Sequence, residues 1–472
     1  YEDAESAAAF VSCTVDFPTN PFLLKSMPQA VDRLHDAIKS GEKIVIYGDY
    51  DADGVTSTAL LVEFLTALGV TPRAYIPDRY DEGYGLNKDA IRLLANEATG
   101  LIITVDCGVR AIEEIALANE LGMDVIVTDH HHPGPELPPA LAVIDPKQKG
   151  DPYPEKYLAG VGLAYKLAQA YLHDFPQEDV SADQWLGLVA IGTVVDMAPL
   201  KGENRMLVSK GLEQLRHTQR QGIFSLAKVA GVDLTKCSTS DLGFRIGPRL
   251  NAAGRLESAL TALELLTSKD LLKAGQLAQQ LDSFNNERQE MTSFIREKAA
   301  QMVLEEDPNA VLFFAADPQF SEGVVGLAAS RLVESFYRPS IVGHEGAEFT
   351  VASCRSIHEF HITQALDECS DLLVRHGGHA AAAGFTIRNE NRAALLARLQ
   401  EIATKQLGDS EPLPVLMIDR EIKLDQLNPR YIPGILDDLH QLEPTGRENP
   451  EPVFASFGVN VRYARLVGKE GK

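Results

Sequence analysis

Acidic and imidazole side chains follow three short apolar runs in the first third of the sequence. In chain order they are Asp49, Asp51, Asp53, Asp106, Asp129, His130 and His131. Carboxylates that converge on one place repel one another unless a cation neutralises them. Oxygen and nitrogen ligands without a thiolate suit Mn²⁺ or Mg²⁺, and two such ions can activate a water and stabilise the oxyanions of a phosphoryl displacement. The residue types therefore predict two divalent cations, Mn²⁺ or Mg²⁺, and hydrolysis of a phosphoester.

Each cluster taken alone also has an ordinary structural interpretation. Asp and Gly are common in turns and at helix N-caps, and a lone His is usually packed or solvated. All three clusters, however, follow predicted strands of one sheet, at the end where open α/β sheets collect ligands. In an extended stretch, residues two apart point the same way, so Asp49, Asp51 and Asp53 are expected to converge on one side. Their joint position favours a functional site.

The elements that position these residues are predicted from hydrophobic periodicity. Short β-branched runs at 43–48, 72–77, 101–105, 124–128 and 141–144 alternate with helical patterns at 55–68, 87–96 and 109–121. This alternation is typical of a parallel sheet covered by helices on both faces. We therefore predict a doubly wound α/β unit for residues 43–145.

Beyond that unit the periodicity changes three times. Helical patterns dominate from 157 to about 266, and an apolar stripe over 277–302 predicts a long helix that ends before Pro308. A second α/β pattern follows, with strands at 310–315, 340–342 and 349–352 and helices at 324–334, 362–374 and 392–406. The last part has apolar runs at 415–418 and 453–461 around a helical pattern at 432–442, which is typical of the opening of a further β-rich module.

Composition restricts the compartment and the kind of nucleic-acid contact. The 472 residues carry a formal net charge of −23, so contact with a polyanion requires a local basic groove. Five scattered cysteines without a CxxC pair argue against a disulfide framework or a structural zinc site and favour a reducing cytoplasm. No apolar run approaches the roughly 20 residues that span a bilayer, so no membrane contact is expected.

Four motifs resemble those of the DHH phosphoesterase family: GDYDADG at 48–54, VDCG at 105–108, the DHH triplet at 129–131 and GTVVDM at 192–197. The resemblance implies five metal ligands, which are Asp51, Asp53, Asp106, His130 and Asp196. Asp106 is expected to bridge the two ions, and Asp49 to take part in catalysis. The resemblance also implies that His131 faces the scissile phosphate and that Asp129 orients the histidines.

A glycine pair in the second α/β region is a candidate for binding the substrate. Paired glycines let a phosphodiester approach the backbone and offer N–H donors to it. The stretch RHGGH at 375–379 also fits a helix C-cap followed by a helix of small residues. It resembles the GGH motif of the DHH-associated domain, which implies that Gly377, Gly378 and His379 contact substrate.

Three further stretches resemble the RecJ branch of the DHH family. RIGPRLNAAGR at 245–255 carries Arg249 and Arg255, SCRS at 353–356 carries Ser353 and Arg355, and LEPTGRENPEP occupies 442–452. The resemblance implies phosphate contacts for both arginines of the first stretch, a pocket for a 5′ end in the second and the start of an OB-like module in the third. Arg79 is a further candidate phosphate contact. For any one of these arginines a structural salt bridge is an equally open interpretation.

The resemblance covers nearly the whole chain and implies four regions. These are a DHH catalytic domain at 1–270 with a helical insert at about 155–266, a connecting helix at 271–307, a DHH-associated domain at 308–410 and a partial OB-like nucleic-acid-binding module at 411–472. The printed sequence ends soon after the last apolar run, so only part of that module is expected. The fold class implied is α/β.

The function implied is that of a metal-dependent exonuclease. It would hydrolyse phosphodiester bonds of single-stranded DNA from 5′ to 3′, release mononucleotides and act in DNA repair and recombination. A single-stranded DNA-binding protein is implied as a partner, and a cytoplasmic monomer is expected. Two alternatives stay open: a DHH phosphodiesterase for short oligoribonucleotides or cyclic dinucleotides, and a non-catalytic DHH-fold scaffold of replication complexes.

Overall fold

A computed structural model describes residues 3–78, 82–83, 85–408, 412–424, 432–460, 462–463 and 465. The α-helices are α1 (Ala4–Val11), α2 (Met27–Ser40), α3 (Ala52–Ala67), α4 (Lys88–Asn96), α5 (Ile112–Glu120), α6 (Gly160–Asp174), α7 (Leu186–Val195), α8 (Gly202–Arg216), α9 (Gln221–Ala230), α10 (Thr239–Asp241), α11 (Gly247–Leu256), α12 (Leu260–Thr267), α13 (Leu271–Glu306), α14 (Val325–Phe336), α15 (Ile362–Asp367), α16 (Arg392–Leu407) and α17 (Ile432–His440). The strands are β1 (Lys43–Gly48), β2 (Arg73–Tyr75), β3 (Thr99–Val105), β4 (Asp124–Thr128), β5 (Ala142–Ile144), β6 (Phe313–Asp317), β7 (Ser340–Glu345), β8 (Phe349–Arg355), β9 (Leu373–His379), β10 (Ala382–Arg388), β11 (Arg420–Glu421) and β12 (Phe454–Ala455).

The first sheet is parallel throughout, with strand order β2-β1-β3-β4-β5. Along β1 the side chains alternate between two separate cores. Ile44 and Ile46 pack in the core that includes α2 and α3, whereas Val45 and Tyr47 pack in the core that includes α4 and α5. Burial on both faces explains why the strands are continuous apolar runs. The predicted doubly wound α/β unit is confirmed, and the carboxyl ends of β1, β3 and β4 lie side by side.

Helices α6–α12 form a helical insert that packs on α3. Within it α10 runs into a π-helical turn, Leu242–Ile246, and then into α11. The predicted long helix is α13, which contacts α9 and α11 of the insert on one side and α14 and β6 of the second α/β region on the other. Its 36 residues extend over about 54 Å at 1.5 Å per residue. This helix therefore links the two α/β regions.

The second sheet is mixed, with strand order β6-β7-β8-β10-β9. Only β6 and β7 are parallel neighbours, and the other pairs are antiparallel. The predicted helix at 362–374 is wrong in its second half, because α15 ends at Asp367 and residues 373–379 and 382–388 form the hairpin β9–β10. A helix of small residues after the glycine pair is therefore also wrong. The Gly and Ala residues of this hairpin hide its strands, since they carry almost no hydrophobic alternation.

The last region contains a short parallel pair, β11 with β12, and the predicted helix at 432–442 is α17, which lies between these two strands in the sequence. The apolar run at 415–418 forms no strand and is exposed. Among the residues that the structure describes, no helix is long and apolar enough to cross a membrane.

Candidate active site

The first acidic motif lies where β1 turns into α3. Asp49 follows the strand, Asp51 caps the helix by accepting the backbone N–H groups of Asp53 (2.9 Å) and Gly54 (3.1 Å), and Asp53 is in the first helical turn. The expectation that these carboxylates converge along an extended stretch is wrong in its reason. The chain becomes helical at Ala52, so that Asp49 and Asp51 come together with Asp106, whereas Asp53 comes together with His130 and Asp196.

Asp53 is held by a second helix terminus that is distant in sequence. Its carboxylate accepts the backbone N–H groups of Gly160 (2.6 Å) and Val161 (2.8 Å) at the start of α6. The partial positive charge of a helix N-terminus favours a carboxylate there. A Cβ on Gly160 would lie 2.7 Å from Cβ of Asp106, so only glycine lets α6 approach the cluster this closely.

Asp106 and His130 lie at the centre of the cluster. Asp106 follows β3 with a φ of 62°, and its backbone N–H donates to Thr128 O of β4 at 3.0 Å. Nε2 of His130 lies 3.1 Å from a carboxylate oxygen of Asp106 and 3.9 Å from oxygens of Asp53 and Asp196. The ends of β1, β3 and β4 and the end of α7 therefore bring their side chains to one place.

Among the described residues, three overlapping groups have ligand atoms close enough to hold a cation. They are Asp49 with Asp51 and Asp106, Asp53 with His130 and Asp196, and Asp106 with His130 and His131. Within each group the ligand atoms lie within 4.8 Å of one another. The five residues expected as metal ligands are all included. Asp106 and His130 each belong to two of the three groups.

Burial makes this cluster costly to ionise. Burial, and then the neighbouring charge of Asp51, raise the pKa of Asp49 to about 8 and that of Asp196 to about 7. Burial also raises the pKa of Asp53 and of Asp106 well above the ordinary carboxyl range, and nearby carboxylates reinforce the effect. Like charges out of water destabilise one another unless a cation neutralises them.

Two buried atoms of the cluster test whether a metal fits. Oδ1 of Asp49 and Nε2 of His130 have no hydrogen-bond partner among the described residues, although Asp49 is only 3% exposed and His130 8%. Burial, and then the charge of His131, lowers the pKa of His130 to about 3, so its ring is neutral and Nε2 can act as a ligand. Carboxylate oxygens with one imidazole nitrogen fit Mn²⁺ or Mg²⁺.

Asp129 orients His131 through two hydrogen bonds. Its Oδ1 lies 2.8 Å from Nδ1 of His131 and accepts the backbone N–H of His131 at 3.0 Å, while Oδ2 accepts the N–H of Val109. Burial lowers the pKa of His131, but the bond to Asp129 and the charge of Asp129 outweigh it and raise the pKa to about 9. His131 is therefore a cation whose side chain is 47% exposed to the cleft.

A cleft of about 610 Å³ opens above the cluster and is lined by cationic side chains that the sequence reasoning did not single out. They include Arg110, Lys147 and Arg447. His132 lines the cleft as well, but burial and the neighbouring cations lower the pKa of its ring. Lys147 donates to the carbonyl of His130, and Arg110 donates to that of His132 at 2.7 Å. Arg447 was noted only as part of the C-terminal motif. This is the local basic groove that an acidic chain needs if it is to approach a polyanion.

The arginines of the 245–255 stretch have structural partners. Arg249 pairs with Asp282 of α13 at 2.8 Å, and Arg255 donates to Gly323 O at 3.1 Å. The stretch also supports the metal cluster, because Oδ1 of Asn251 accepts the N–H of Ala52 at the start of α3. Sequence reasoning missed Asn251, whose only signal was its place between the two arginines.

The other expected substrate contacts lie on the second α/β region. Ser353 and Arg355 flank Gly326 at the start of α14, where a Cβ would lie 3.1 Å from Nη2 of Arg355. His379 ends β9 and lines the cleft above the metal cluster. Gly377 and Gly378 precede it on the same strand, and both are exposed. Arg79 lies outside the described residues.

Comparison with known proteins places this geometry in a family. The DHH family N-terminal domain matches residues 43–193, the DHHA1 domain residues 296–405 and the RecJ OB domain residues 418–472. The single-stranded-DNA-specific exonuclease RecJ of Bacillus subtilis is 44% identical over 99% of this chain and 58% of its own length. The protein of that name from Dickeya dadantii is 36% identical over 95% of this chain and 80% of its own length.

A crystal structure of RecJ from Thermus thermophilus in complex with Mn²⁺ superposes with a TM-score of 0.82 at 34% identity, over 94% of this chain and 63% of that one. The chain thus spans less than two thirds of the length of the Bacillus and Thermus relatives. Identity and coverage together, above all against the Dickeya protein, lead to one conclusion: the chain belongs to the RecJ group of the DHH family.

Proposed function

We propose that this chain is a metal-dependent exonuclease that hydrolyses phosphodiester bonds of single-stranded DNA, from 5′ to 3′ and releasing mononucleotides. The observation that carries the proposal is the buried cluster in which Asp106 and His130 each belong to two potential cation sites. Such an arrangement suits two divalent cations, Mn²⁺ or Mg²⁺, and family membership agrees with it. When bound, the ions would supply an activated water and neutralise charge on the scissile phosphate.

The ligands in this proposal are Asp51, Asp53, Asp106, His130 and Asp196. Asp49 is a further catalytic participant, since its buried Oδ1 points into the same cluster without a protein partner among the described residues. His131 holds a proton on its ring, and Asp129 fixes the direction of that ring. A protonated imidazole beside the metal cluster can donate a charge-assisted hydrogen bond to a phosphate oxygen.

Substrate enters between the two α/β regions. His379 on the second region and Arg110 on the first line the same cleft. Ser353 and Arg355, beside the start of α14, are the proposed contacts of the 5′ end, and Gly377 and Gly378 let the strand approach β9. Arg79, Arg249 and Arg255 stay in the proposal as phosphate contacts. Arg249 and Arg255 would then bind a phosphate in addition to their present partners, Asp282 and Gly323 O.

The wider proposals follow the family. We propose action in DNA repair and recombination, a cytoplasmic monomer and a single-stranded DNA-binding protein as partner. The proposed domain limits are 1–270, 271–307, 308–410 and 411–472. The helix at 271–306 supports the second segment, whereas the DHHA1 match begins at 296, within that helix rather than at 308.

The test is Mn²⁺-dependent release of label from a 5′-labelled single strand. Parallel reactions use a matched duplex, a 3′-labelled strand, a cyclic dinucleotide and the Asp106→Ala variant. Early release of the 5′ label from the single strand alone, lost in the variant, is the expected result.

Other outcomes would redirect the proposal. Hydrolysis of only short or cyclic substrates would assign the chain to the smaller DHH phosphodiesterases. Binding of Mn²⁺ without turnover of any substrate, or no Mn²⁺ binding at all, would favour a scaffold.

A further inference from the structure

Residues 441–450 of the C-terminal region lie against the helical insert, beside the metal cluster. We call this stretch the docking segment. It contains Arg447, whose guanidinium reaches the cleft that Asp196 and His131 also line. Sequence reasoning placed the segment at the start of an OB-like module. In the structure it is part of the wall of the active site.

The docking segment is held by one buried arginine of the insert. Arg205, 2% exposed on α8, donates to the carbonyls of Leu442 (2.9 Å), Glu443 (2.8 Å) and Pro444 (2.8 Å). Its guanidinium also lies 3.8 Å from the ring centroid of Phe10 in α1. An arginine has five N–H donors in a fixed plane, so several carbonyls bound by one side chain fix the direction of the chain that carries them.

Two further hydrogen bonds to backbone carbonyls of the docking segment attach it close to Asp196, the proposed metal ligand. The N–H of Leu200 donates to Arg447 O at 2.8 Å, and the hydroxyl of Thr239 donates to Thr445 O at 2.6 Å. A Cβ on Gly446 would lie 2.7 Å from Leu200, so the two chains are in close contact. The backbone of Arg447 is therefore fixed while its side chain is exposed.

The guanidinium of Arg447 has little protein to bind. Its side-chain hydrogen bond within the described residues is to Met197 O, at 3.3 Å. Arg447 also lines a second cleft, of about 720 Å³, together with Asn251, Arg255 and Arg288. Arg447 thus lines both the metal cleft and the second cleft, and its charge acts on the carboxylate of Asp196.

The second cleft has the chemistry of a path for a polynucleotide. Arg255 and Arg288 supply positive charge, and the ring of Phe244, 81% exposed, lines the same cleft. Bases stack on exposed aromatic rings, and arginines bind the phosphates between them. A strand whose end lies at the metal cluster can therefore continue into this cleft past Arg447.

We propose that Arg447 is a substrate-contacting residue of the active site, which binds a phosphate next to the scissile one, and that Arg205 is the positioning residue that holds it there. This inference rests on the proposed function. If Arg447 binds substrate in this way, full activity requires that the C-terminal region stay attached to the insert. This requirement is separate from any binding of DNA by the rest of that region.

The test compares Arg447→Ala with Arg420→Ala on a 5′-phosphorylated single strand in Mn²⁺. Arg420 is an exposed arginine of the same region on β11, and its replacement serves as the matched control. Loss of a charge-assisted hydrogen bond to phosphate lowers kcat/KM about 10- to 100-fold for Arg447→Ala. We expect Arg420→Ala to act like wild type and Mn²⁺ binding to be unchanged in both variants.

Charge on the substrate separates a phosphate contact from a structural role. The rate of cleavage at the first bond is measured for wild type and for Arg447→Ala on strands that carry a neutral methylphosphonate at the second, third or fourth linkage. At the contacted linkage the difference between the two enzymes should shrink towards one-fold, because the charge that Arg447 binds is gone. A difference that is equal at every linkage would overturn the phosphate contact.

Arg205→Gln tests the positioning role. We expect it to lower kcat/KM, and the double variant with Arg447→Ala should be no worse than Arg447→Ala alone, because both remove the same contact. Additive losses would overturn the role of Arg205. If Arg205→Gln folds poorly, Thr239→Val, which removes the hydrogen bond to Thr445 O, takes its place in the same double-variant comparison. An active wild type with an unaffected Arg447→Ala overturns this inference alone, whereas an inactive wild type overturns the proposed function as well.

Discussion

Both α/β regions of this chain place an aspartate at the end of a strand, but the two carboxylates have opposite surroundings. Asp106 follows β3, is 2% exposed and has its pKa raised by burial and by neighbouring carboxylates. Asp317 ends β6 and pairs with Lys298 of α13 at 2.6 Å, and the bond to Lys298 lowers its pKa. The first is a candidate metal ligand, and the second is an ordinary surface ion pair.

The two sheets differ in how many parallel strand ends meet. In the first sheet β1, β3 and β4 are parallel neighbours, so their carboxyl ends meet and each contributes an acid or an imidazole. In the second sheet β8 and β9 run against β7 and β10, so carboxyl ends are divided between two edges. Asp317 ends the edge strand β6 and has one parallel neighbour, β7, which places His344 beside it. Asp106 lies between two parallel neighbours, β1 and β4, and both bring further ligand side chains to the same place. The second sheet instead carries the glycines Gly377 and Gly378 and the cationic side chain of Arg355.

The functional difference between the two aspartates is tested most directly by neutralising each of them in turn. Asp106→Asn should lower kcat/KM on single-stranded DNA by at least about 1000-fold, because it removes a ligand shared by two cation sites. Asp317→Asn, the matched control, loses a surface ion pair that contributes at most about 1 kcal/mol and should leave turnover unchanged. Initial rates and Mn²⁺ titration calorimetry would measure both, and equal losses in the two variants would contradict the distinction.

Asp129→Asn removes the carboxylate that orients His131 and raises its pKa. We expect kcat to fall about 10- to 100-fold, as for loss of a group that orients a site residue. His131 holds its proton up to about pH 9 in the present structure, so losing Asp129 should move the alkaline limb of the pH–rate profile to lower pH. Rates measured across that range would test this, and an unshifted limb would exclude His131 as the titrating group.

The stability of the metal-free protein should depend on pH with the sign set by the acidic cluster. The pKa of Asp49 (about 8) and of Asp196 (about 7) lies above the ordinary carboxyl value of 3.8, so the folded chain holds protons that the unfolded chain releases. This stabilisation is complete below pH 3.8 and is lost as pH rises through 7 and 8. Mn²⁺ should reverse the trend, since it displaces the protons.

Chemical unfolding in EDTA and in Mn²⁺, between about pH 6 and pH 9, measures this dependence. Asp49→Asn is the control, because an amide cannot titrate and the slope in EDTA should become shallower. Stability in EDTA that rises across this range would contradict the assignment of raised pKa values.

The smallest effects should come from the glycine pair on the second sheet. Gly378 has a φ of 150°, and a Cβ there would lie 2.4 Å from Ala382 O, so Gly378→Ala should cost about 1–3 kcal/mol of stability. A Cβ on Gly377 would meet nothing within 4 Å. Gly377→Ala should therefore change stability by less than about 0.5 kcal/mol, and weaken single-strand binding only if the strand approaches β9.

Thermal unfolding and fluorescence anisotropy with a labelled strand separate the two roles. A Gly377→Ala variant that binds like wild type would remove this glycine from the substrate contacts. A Gly378→Ala variant as stable as wild type would contradict the structural reason given for the second glycine.

Much of the first region could be predicted from sequence because its signals are local. Apolar runs identified β1, β3 and β4, and the residue types after them indicated a divalent-cation site. The hairpin β9–β10 could not be predicted in the same way, because a run of Gly and Ala shows neither helical nor strand periodicity. There the pairing with β8, distant in sequence, decides the structure.

The sequence by itself determined which side chains could hold cations and at which strand ends they lie, because residue type and periodicity are properties of short stretches. Tertiary structure alone decided which distant groups complete the site. The N–H groups that hold Asp53 are 107 and 108 residues away, Asn251 reaches Ala52 across 199 residues, and Arg205 holds Pro444 across 239. Such contacts depend on how helices pack, and helix packing follows from complementary surfaces that no local pattern encodes.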